Sequence, residues 1–345
     1  MKQAMAMGIL AVLFMAALTA CGNSAESNHS REVQDMTSNT MDTEYGQKDV
    51  VDNTLTDSLY TVDTPISDVM GDPVFGDYGR LIFPVDDWYY SGDTLGDLHL
   101  TYYSNIDPEE TVEIANYMKE HAASGDTIFY DIYTEEEKAA DPEKEDTGLF
   151  FFRGTPDERF AVCNAGGAFA YVGAMHDSFP HALELSKQGY NAFALIYRPG
   201  AQTACEDLAR AIQFIFEHAE ELKVNTDGYS LWGGSAGARM AAWVGSYGTA
   251  AFGAEDLPQP AAVIMQYTGL SEYSENDPAT FVTVGESDGI ANWRTMKKRL
   301  DGMSALGIDT EFHSYPGLSH GFGLGTGTVA EGWIDEAIAF WQRQL

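Results

Sequence analysis

The sequence predicts an α/β fold: a mostly parallel central sheet with helices on both faces, plus an N-terminal extension. Two observations carry that reading. With 345 residues, 44% of them apolar, the chain can bury a large core. From about residue 149 onward, short apolar runs alternate with segments of helical periodicity, as parallel strands buried on both sides and their crossover helices do. No internal repeat interrupts that order.

Residues 1–21 read as a leader rather than as fold. Lys2 supplies a short positive region, and MAMGILAVLFMAALTA is apolar but short for a membrane span. The stretch closes with Leu18-Thr19-Ala20-Cys21, which resembles a bacterial lipobox whose cysteine becomes the lipidated N-terminus. That implies a lipoprotein signal peptide and a mature protein lipid-anchored through Cys21 at the bacterial cell surface, outside the cytoplasm. Residues 22–57 are polar, with few large apolar groups, and read as a disordered tether.

Residues 58–148 form the N-terminal extension, a candidate lid or accessory element. VFGDYGRLIFPVDDWYY is rich in aromatics separated by turn residues. PEETVEIANYMKEHAA has helical spacing after an Asp-Pro start, DTIFYDIYT alternates like a strand, and EEEKAADPEKED is a charged loop or short helix.

Residues 149–345 form the expected catalytic domain. LFFFRG, FAVCNA, NAFALIYRP, GYSLWGG, AAVIMQYTG, TFVTVGE and TEFHSYPG read as strands. HALELSKQGY, CEDLARAIQFIFEHAEEL, AGARMAAWVGSYG, NWRTMKKRLDGMSALG and GWIDEAIAFWQRQL read as helices.

Composition removes several function classes. A net charge of −34 opposes binding to nucleic acid. Three cysteines without a CxxC pair or a Cys/His cluster exclude a cysteine-based metal site, and no metal or organic cofactor is expected. Cys163 and Cys205 read as buried free thiols, although an extracytoplasmic location would permit a disulfide between them.

The chemistry is concentrated at Gly233-Gly234-Ser235-Ala236-Gly237, a G-x-S-x-G match between a strand and a helix. A nucleophile on so tight a turn needs small neighbours, and Ser235 has only glycine and alanine around it. Gly285-Glu286-Ser287-Asp288-Gly289 matches too, but there the residue after the serine is an aspartate, whose charge would oppose an oxyanion. A serine hydroxyl needs a base and the base an orienting acid, expected after it on loops beyond later strands. Of the histidines beyond Ser235, His313 lies inside a strand and His320 in the glycine-rich loop GLSHGFGLG, so His320 is the candidate base. Asp288, further into its loop than Glu286, is the candidate acid. Gly166 and Gly167, in the loop after FAVCNA, and the N–H of Ala236 are candidate oxyanion donors.

On these residues, residues 149–345 resemble the α/β-hydrolase superfamily, in its esterase/lipase and acetyl-xylan-esterase-like branches. The resemblance implies an α/β-hydrolase fold and a carboxylic-ester hydrolase working by a Ser-His-Asp triad, with small-molecule or carbohydrate esters, acetyl-type above all, as substrates. The family's oxyanion loop often reads His-Gly-Gly-Gly-aromatic, whereas Ala165-Gly166-Gly167-Ala168-Phe169 lacks the leading histidine. The extension's Trp88, Tyr89, Tyr90, Tyr102 and Tyr103 would either wall a sugar or pack the extension onto the core, and Arg239 reads as a structural partner. A peptidase on the same fold and a catalytically silent surface binding protein are the alternatives.

Overall fold

The computed structural model describes residues 59–85 and 88–345. The expected leader, Cys21 and the tether lie outside the described residues. The described strands in chain order are β1 (Tyr90–Ser91), β2 (His99–Leu100), β3 (Phe129–Asp131), β4 (Gly148–Phe152), β5 (Arg159–Asn164), β6 (Asn191–Ile196), β7 (Asn225–Gly234), β8 (Ala262–Gln266), β9 (Ala279–Gly285) and β10 (Thr310–Tyr315). The helices are α1 (Ile66–Met70), α2 (Pro108–Ser124), α3 (Glu135–Ala140), α4 (Ala174–Asp177), α5 (Phe179–Lys187), α6 (Ala201–Glu217), α7 (Ala219–Leu222), α8 (Ser235–Tyr247), α9 (Trp293–Ala305) and α10 (Trp333–Gln342).

Strands β3 to β10 make an eight-stranded sheet in the order β10-β9-β8-β7-β5-β6-β4-β3. The pairs from β6 across to β10 are parallel, while β4 on β6 and β3 on β4 are antiparallel. The continuous apolar runs are explained by burial: every residue of β4, β6 and β8 is buried, so no polar face is needed. Edge strand β10 is only half-buried along its length and carries Glu311 and His313 toward solvent-side partners.

Strand order reverses at β5, which lies between β6 on one side and β7 on the other. From β5 the chain crosses to β6, which it inserts between β5 and β4, and then returns to the other side of β5 at β7 and continues outward to β10. The connections leaving the C-terminal ends of the paired strands β5 and β7 therefore run to opposite sides, the switch point at which open parallel sheets bind ligands.

The extension is not set apart from this sheet. Its β3 is the outermost strand, and α2 packs on α5 of the core. Helix α2 starts as the sequence suggests: Asp107 accepts from the N–H groups of Glu109 and Glu110 at 2.8 and 3.3 Å, Pro108 occupies the first turn, and Gly125 ends the helix in the left-handed region. VFGDYGRLIF folds instead as short 3-10 turns, broken at Gly76, whose positive φ ends the regular geometry.

One buried ion cluster ties the two parts together. Asp207 of α6 is fully buried. It accepts from the Arg198 backbone N–H at 2.8 Å, the Arg198 guanidinium at 2.6 and 3.1 Å, and the Tyr133 hydroxyl at 2.6 Å. Arg198 reaches on to Asp141, 2.7 Å away. Tyr133 and Asp141 belong to the extension, Arg198 and Asp207 to the core. Replacing one member of such a buried set leaves its partner charged and desolvated. Asp207→Ala is expected to lower unfolding free energy by about 3–5 kcal/mol, as measured by urea denaturation.

Candidate active site

Ser235 stands at this switch point, at the C-terminal end of β7 beside β5. It is the first residue of α8 and follows β7 directly. Its φ is +49°, a left-handed conformation unusual for a residue with a side chain. The small neighbours are a steric requirement. A Cβ on Gly237 would lie 2.0 Å from the Asn164 carbonyl oxygen, one on Gly233 2.4 Å from the Gly237 carbonyl carbon, and one on Gly234 2.2 Å from the Asp177 carboxylate. The turn is pressed against β5 and the loop after it, and only hydrogens fit.

The second G-x-S-x-G match is built differently. Gly285 is crowded, with a Cβ position 2.1 Å from the Leu318 carbonyl oxygen, but a Cβ on Gly289 would meet nothing within 4 Å. Gly285 lets the loop after β9 close onto the loop after β10, and the Ser287 N–H donates to Leu318 at 3.0 Å. That contact brings acid and base together.

His320 Nε2 stands 3.1 Å from Ser235 Oγ, and its Nδ1 is 2.7 Å from Asp288 Oδ2. The other Asp288 oxygen accepts from the N–H groups of Ile290 and Ala291, both at 2.7 Å. The Asp288 side chain is fully buried and that of His320 nearly so. Serine, imidazole and carboxylate thus form one hydrogen-bonded chain, whose acid is fixed by backbone donors. Glu286 points elsewhere, accepting from Ser314 at 2.9 Å, and His313 pairs with Glu311 and Glu336. Arg239 donates to Thr268 at 3.2 Å.

The oxyanion loop requires one correction. The Gly166 N–H donates to Asp177 Oδ2 at 2.6 Å, so it is engaged and is not a free donor to a substrate oxygen. Gly167 is bent to φ +130°, and a Cβ there would lie 2.1 Å from the Tyr171 carbonyl oxygen. Ala168 and Phe169 also adopt left-handed φ values, +56° and +59°. The N–H of Ala236 lies in the first turn of α8, where the helix offers it no partner and the helix dipole favours negative charge. Gly167 and Ala236 remain the donor candidates.

Sequence reasoning missed the polar layer beneath the site. Asp177 accepts from the hydroxyls of Tyr267 and Tyr103 as well as from Gly166. His176 Nε2 is 3.1 Å from the Gly321 carbonyl oxygen, and Gln266 donates to Gly323 at 2.8 Å, so the loop carrying His320 is held from below. Only the presence of charged and polar residues in otherwise apolar runs, as in AMHDSFP, signals this layer. Of the extension's aromatics, Tyr103 is buried and Tyr89 stacks on Tyr171 at 4.4 Å, whereas Trp88 and Tyr102 are 91% and 53% exposed. Cys163 and Cys205 are free and buried. Burial raises both thiols, Cys205 to about 12, which keeps them protonated. Among the described residues, no group of three or more His, Cys, Asp or Glu side chains is placed to hold a metal ion.

The BD-FAE family model matches residues 155–298. No curated protein matches the chain. Among solved structures, the acetyl ester-xyloside bifunctional hydrolase of Caldicellulosiruptor lactoaceticus is similar, with 17% identity and a TM-score of 0.54 over 62% of this chain and 95% of that one. Esterase 2 of Thermogutta terrifontis in its apo form is similar at 20% identity, with a TM-score of 0.51 over 57% of this chain and 90% of that one. The chain has the α/β-hydrolase fold.

The buried histidines set an acid limit. Desolvation pushes His176 down to about 4 and His181 down to about 3. Neither ring nitrogen of His181 has a hydrogen bond of normal geometry. The unfolded chain takes up these protons near pH 6.5 and the folded protein only near 4 and 3, so stability present above pH 6.5 is lost as pH falls. Asp177, raised by burial to about 6, acts in the opposite sense over a narrower span. The thermal midpoint is expected to fall between pH 6.5 and 4, and His181→Leu to flatten that dependence in a calorimetric pH series.

Proposed function

We propose that this protein is a serine esterase that cleaves short-acyl carboxylic esters through a covalent acyl-enzyme. The observation that carries this reading is the hydrogen-bonded chain Ser235–His320–Asp288, with the serine raised on a left-handed turn. His320 Nε2 takes the Ser235 proton as Oγ attacks the ester carbonyl. Asp288 accepts from Nδ1–H and keeps Nε2 free as the base. The N–H groups of Gly167 and Ala236 receive the oxyanion, and losing one such donor would raise the barrier by about 2.7–4 kcal/mol. His320 then protonates the leaving alcohol. Water, deprotonated by the same imidazole, releases the acid and restores the serine.

Phe169, near the candidate donor Gly167, stacks on Trp243 with centroids 6.1 Å apart. Acetylated carbohydrate is the substrate class we favour, on the resemblance of residues 149–345 to acetyl-xylan-esterase-like proteins. The names of the two similar structures, an acetyl ester-xyloside bifunctional hydrolase and an esterase, support ester hydrolysis. The soluble form lacking residues 1–21 is expected to hydrolyse p-nitrophenyl acetate faster than butyrate and butyrate faster than decanoate. Ser235→Ala should abolish turnover; a folded wild type without turnover, or a mutant that keeps it, overturns the reading.

The leader motif supports an anchor on the outer face of a membrane through Cys21. In a bacterial host, Cys21→Ser is expected to move the protein from the membrane pellet to the soluble fraction, with its esterase activity intact.

A further inference from the structure

Among the described residues, Asp177 is the one buried carboxylate beside Ser235 that the Ser235–His320–Asp288 chain does not use. It ends α4, is 1% exposed, and has no ion-pair partner among the described residues. Its Oδ2 accepts the Gly166 N–H at 2.6 Å and the Tyr103 hydroxyl at 3.3 Å; its Oδ1 accepts the Tyr267 hydroxyl. A charge-assisted bond from a backbone N–H to a buried carboxylate is short and directional, so it fixes the peptide that donates it. The same carboxylate forms the floor of the nucleophile turn, since a Cβ on Gly234 would lie 2.2 Å from it. A Cβ on Gly166 would lie 2.8 Å from Asp177 Oδ2 and 2.9 Å from Ser235 Cβ, so the Gly166 peptide is clasped between acid and nucleophile.

We propose that Asp177 is a positioning residue for the oxyanion hole: it holds the Gly166 N–H and thereby sets the adjacent Gly167 peptide as a donor facing Ser235. This rests on the ester-hydrolase reading. The loop has no histidine ahead of its glycines, so it needs a hold from elsewhere, and the carboxylate below provides it. Tyr267, from the end of β8, and Tyr103, from the extension, aim the carboxylate. The extension thus reaches this carboxylate through the Tyr103 hydroxyl.

The test uses Asp177→Asn and Tyr267→Phe in the full chain, with active sites counted by end-point labelling with a fluorophosphonate. For Asp177→Asn, the count should stay full and KM within about threefold, while kcat per counted site falls about 10- to 100-fold. The inhibition constant of a trifluoromethyl ketone, which adds to the serine as an oxyanion, should rise in parallel with that fall. Tyr267→Phe should move kcat and the inhibition constant the same way by less, and it carries the test if the first variant does not fold. Wild-type kcat with a full count overturns the proposal. So does a reduced count with unchanged kcat per site, the mark of a residue that matters for folding alone. Turnover that is absent in the wild type, or retained in Ser235→Ala, would instead sink the hydrolase reading. The hold itself is then read from the Gly166 amide proton in glycine-labelled protein, which should lie far downfield and move upfield in Asp177→Asn; an unmoved resonance overturns the proposal.

Discussion

The site depends on a steric constraint: the start of α8 is pressed onto the end of β5. No atom beyond hydrogen fits between Gly237 and the Asn164 carbonyl, where a Cβ would stand at 2.0 Å. That approach forces the chain to leave β7 and enter α8 within one residue, and Ser235 absorbs the bend with a φ of +49°. A left-handed residue with a side chain stores strain, of order 1–3 kcal/mol, that the surrounding packing must hold in place. The parallel ladders of β7 with β5 and β8 supply that packing, since they run up to Gly233 and Gly234. The strain raises the hydroxyl out of the sheet's end toward His320. It also leaves the first-turn N–H groups of α8 pointing at the same space.

Around that turn the remaining parts are held by backbone groups more than by one another. Asp288 takes two N–H groups, and the Gly285 contact with Leu318 docks its loop onto the one that carries His320. His176 and Gln266 fix that second loop through the carbonyls of Gly321 and Gly323. Each triad member is therefore oriented by an element other than its partner, which keeps the geometry when the imidazole changes charge.

The strands and helices from residue 149 onward were legible because burial on both faces writes itself as unbroken apolar runs, as in NAFALI of β6. The juxtaposition of Ser235, His320 and Asp288 was legible for a related reason. Each member follows a strand, and chain order restricts which histidine and which acid can serve. The two G-x-S-x-G matches could be separated by charge alone, although the deciding fact, that Gly289 is unconfined and Gly237 is not, is spatial. The engagement of Gly166 was not legible. Its acceptor lies eleven residues downstream, and the other donors come from positions 103 and 267, with no spacing that a linear reading could recognise. The extension was legible in part. Strand β3 was announced by the alternation of DTIFYDIYT, whereas Tyr133 and Asp141, which reach Arg198 and Asp207, carry no pattern of their own.

The buried carboxylates sort by what compensates them. Asp207 and Asp277 each face a buried arginine, Arg198 and Arg299, at 2.6 Å. Those pairs join elements of the frame, where a matched charge is the low-risk solution. Asp177 has only neutral donors, and burial holds its carboxyl up at about 6. An arginine beside it would satisfy the charge better, but it would compete for the oxygen that Gly166 now uses and would fill the floor under Gly234. A protein shaped for stability alone would place an apolar side chain there. A buried carboxyl left to neutral donors, where the turn at Ser235 meets the loop after β5, is a local departure from stability of the kind a working site imposes on a fold.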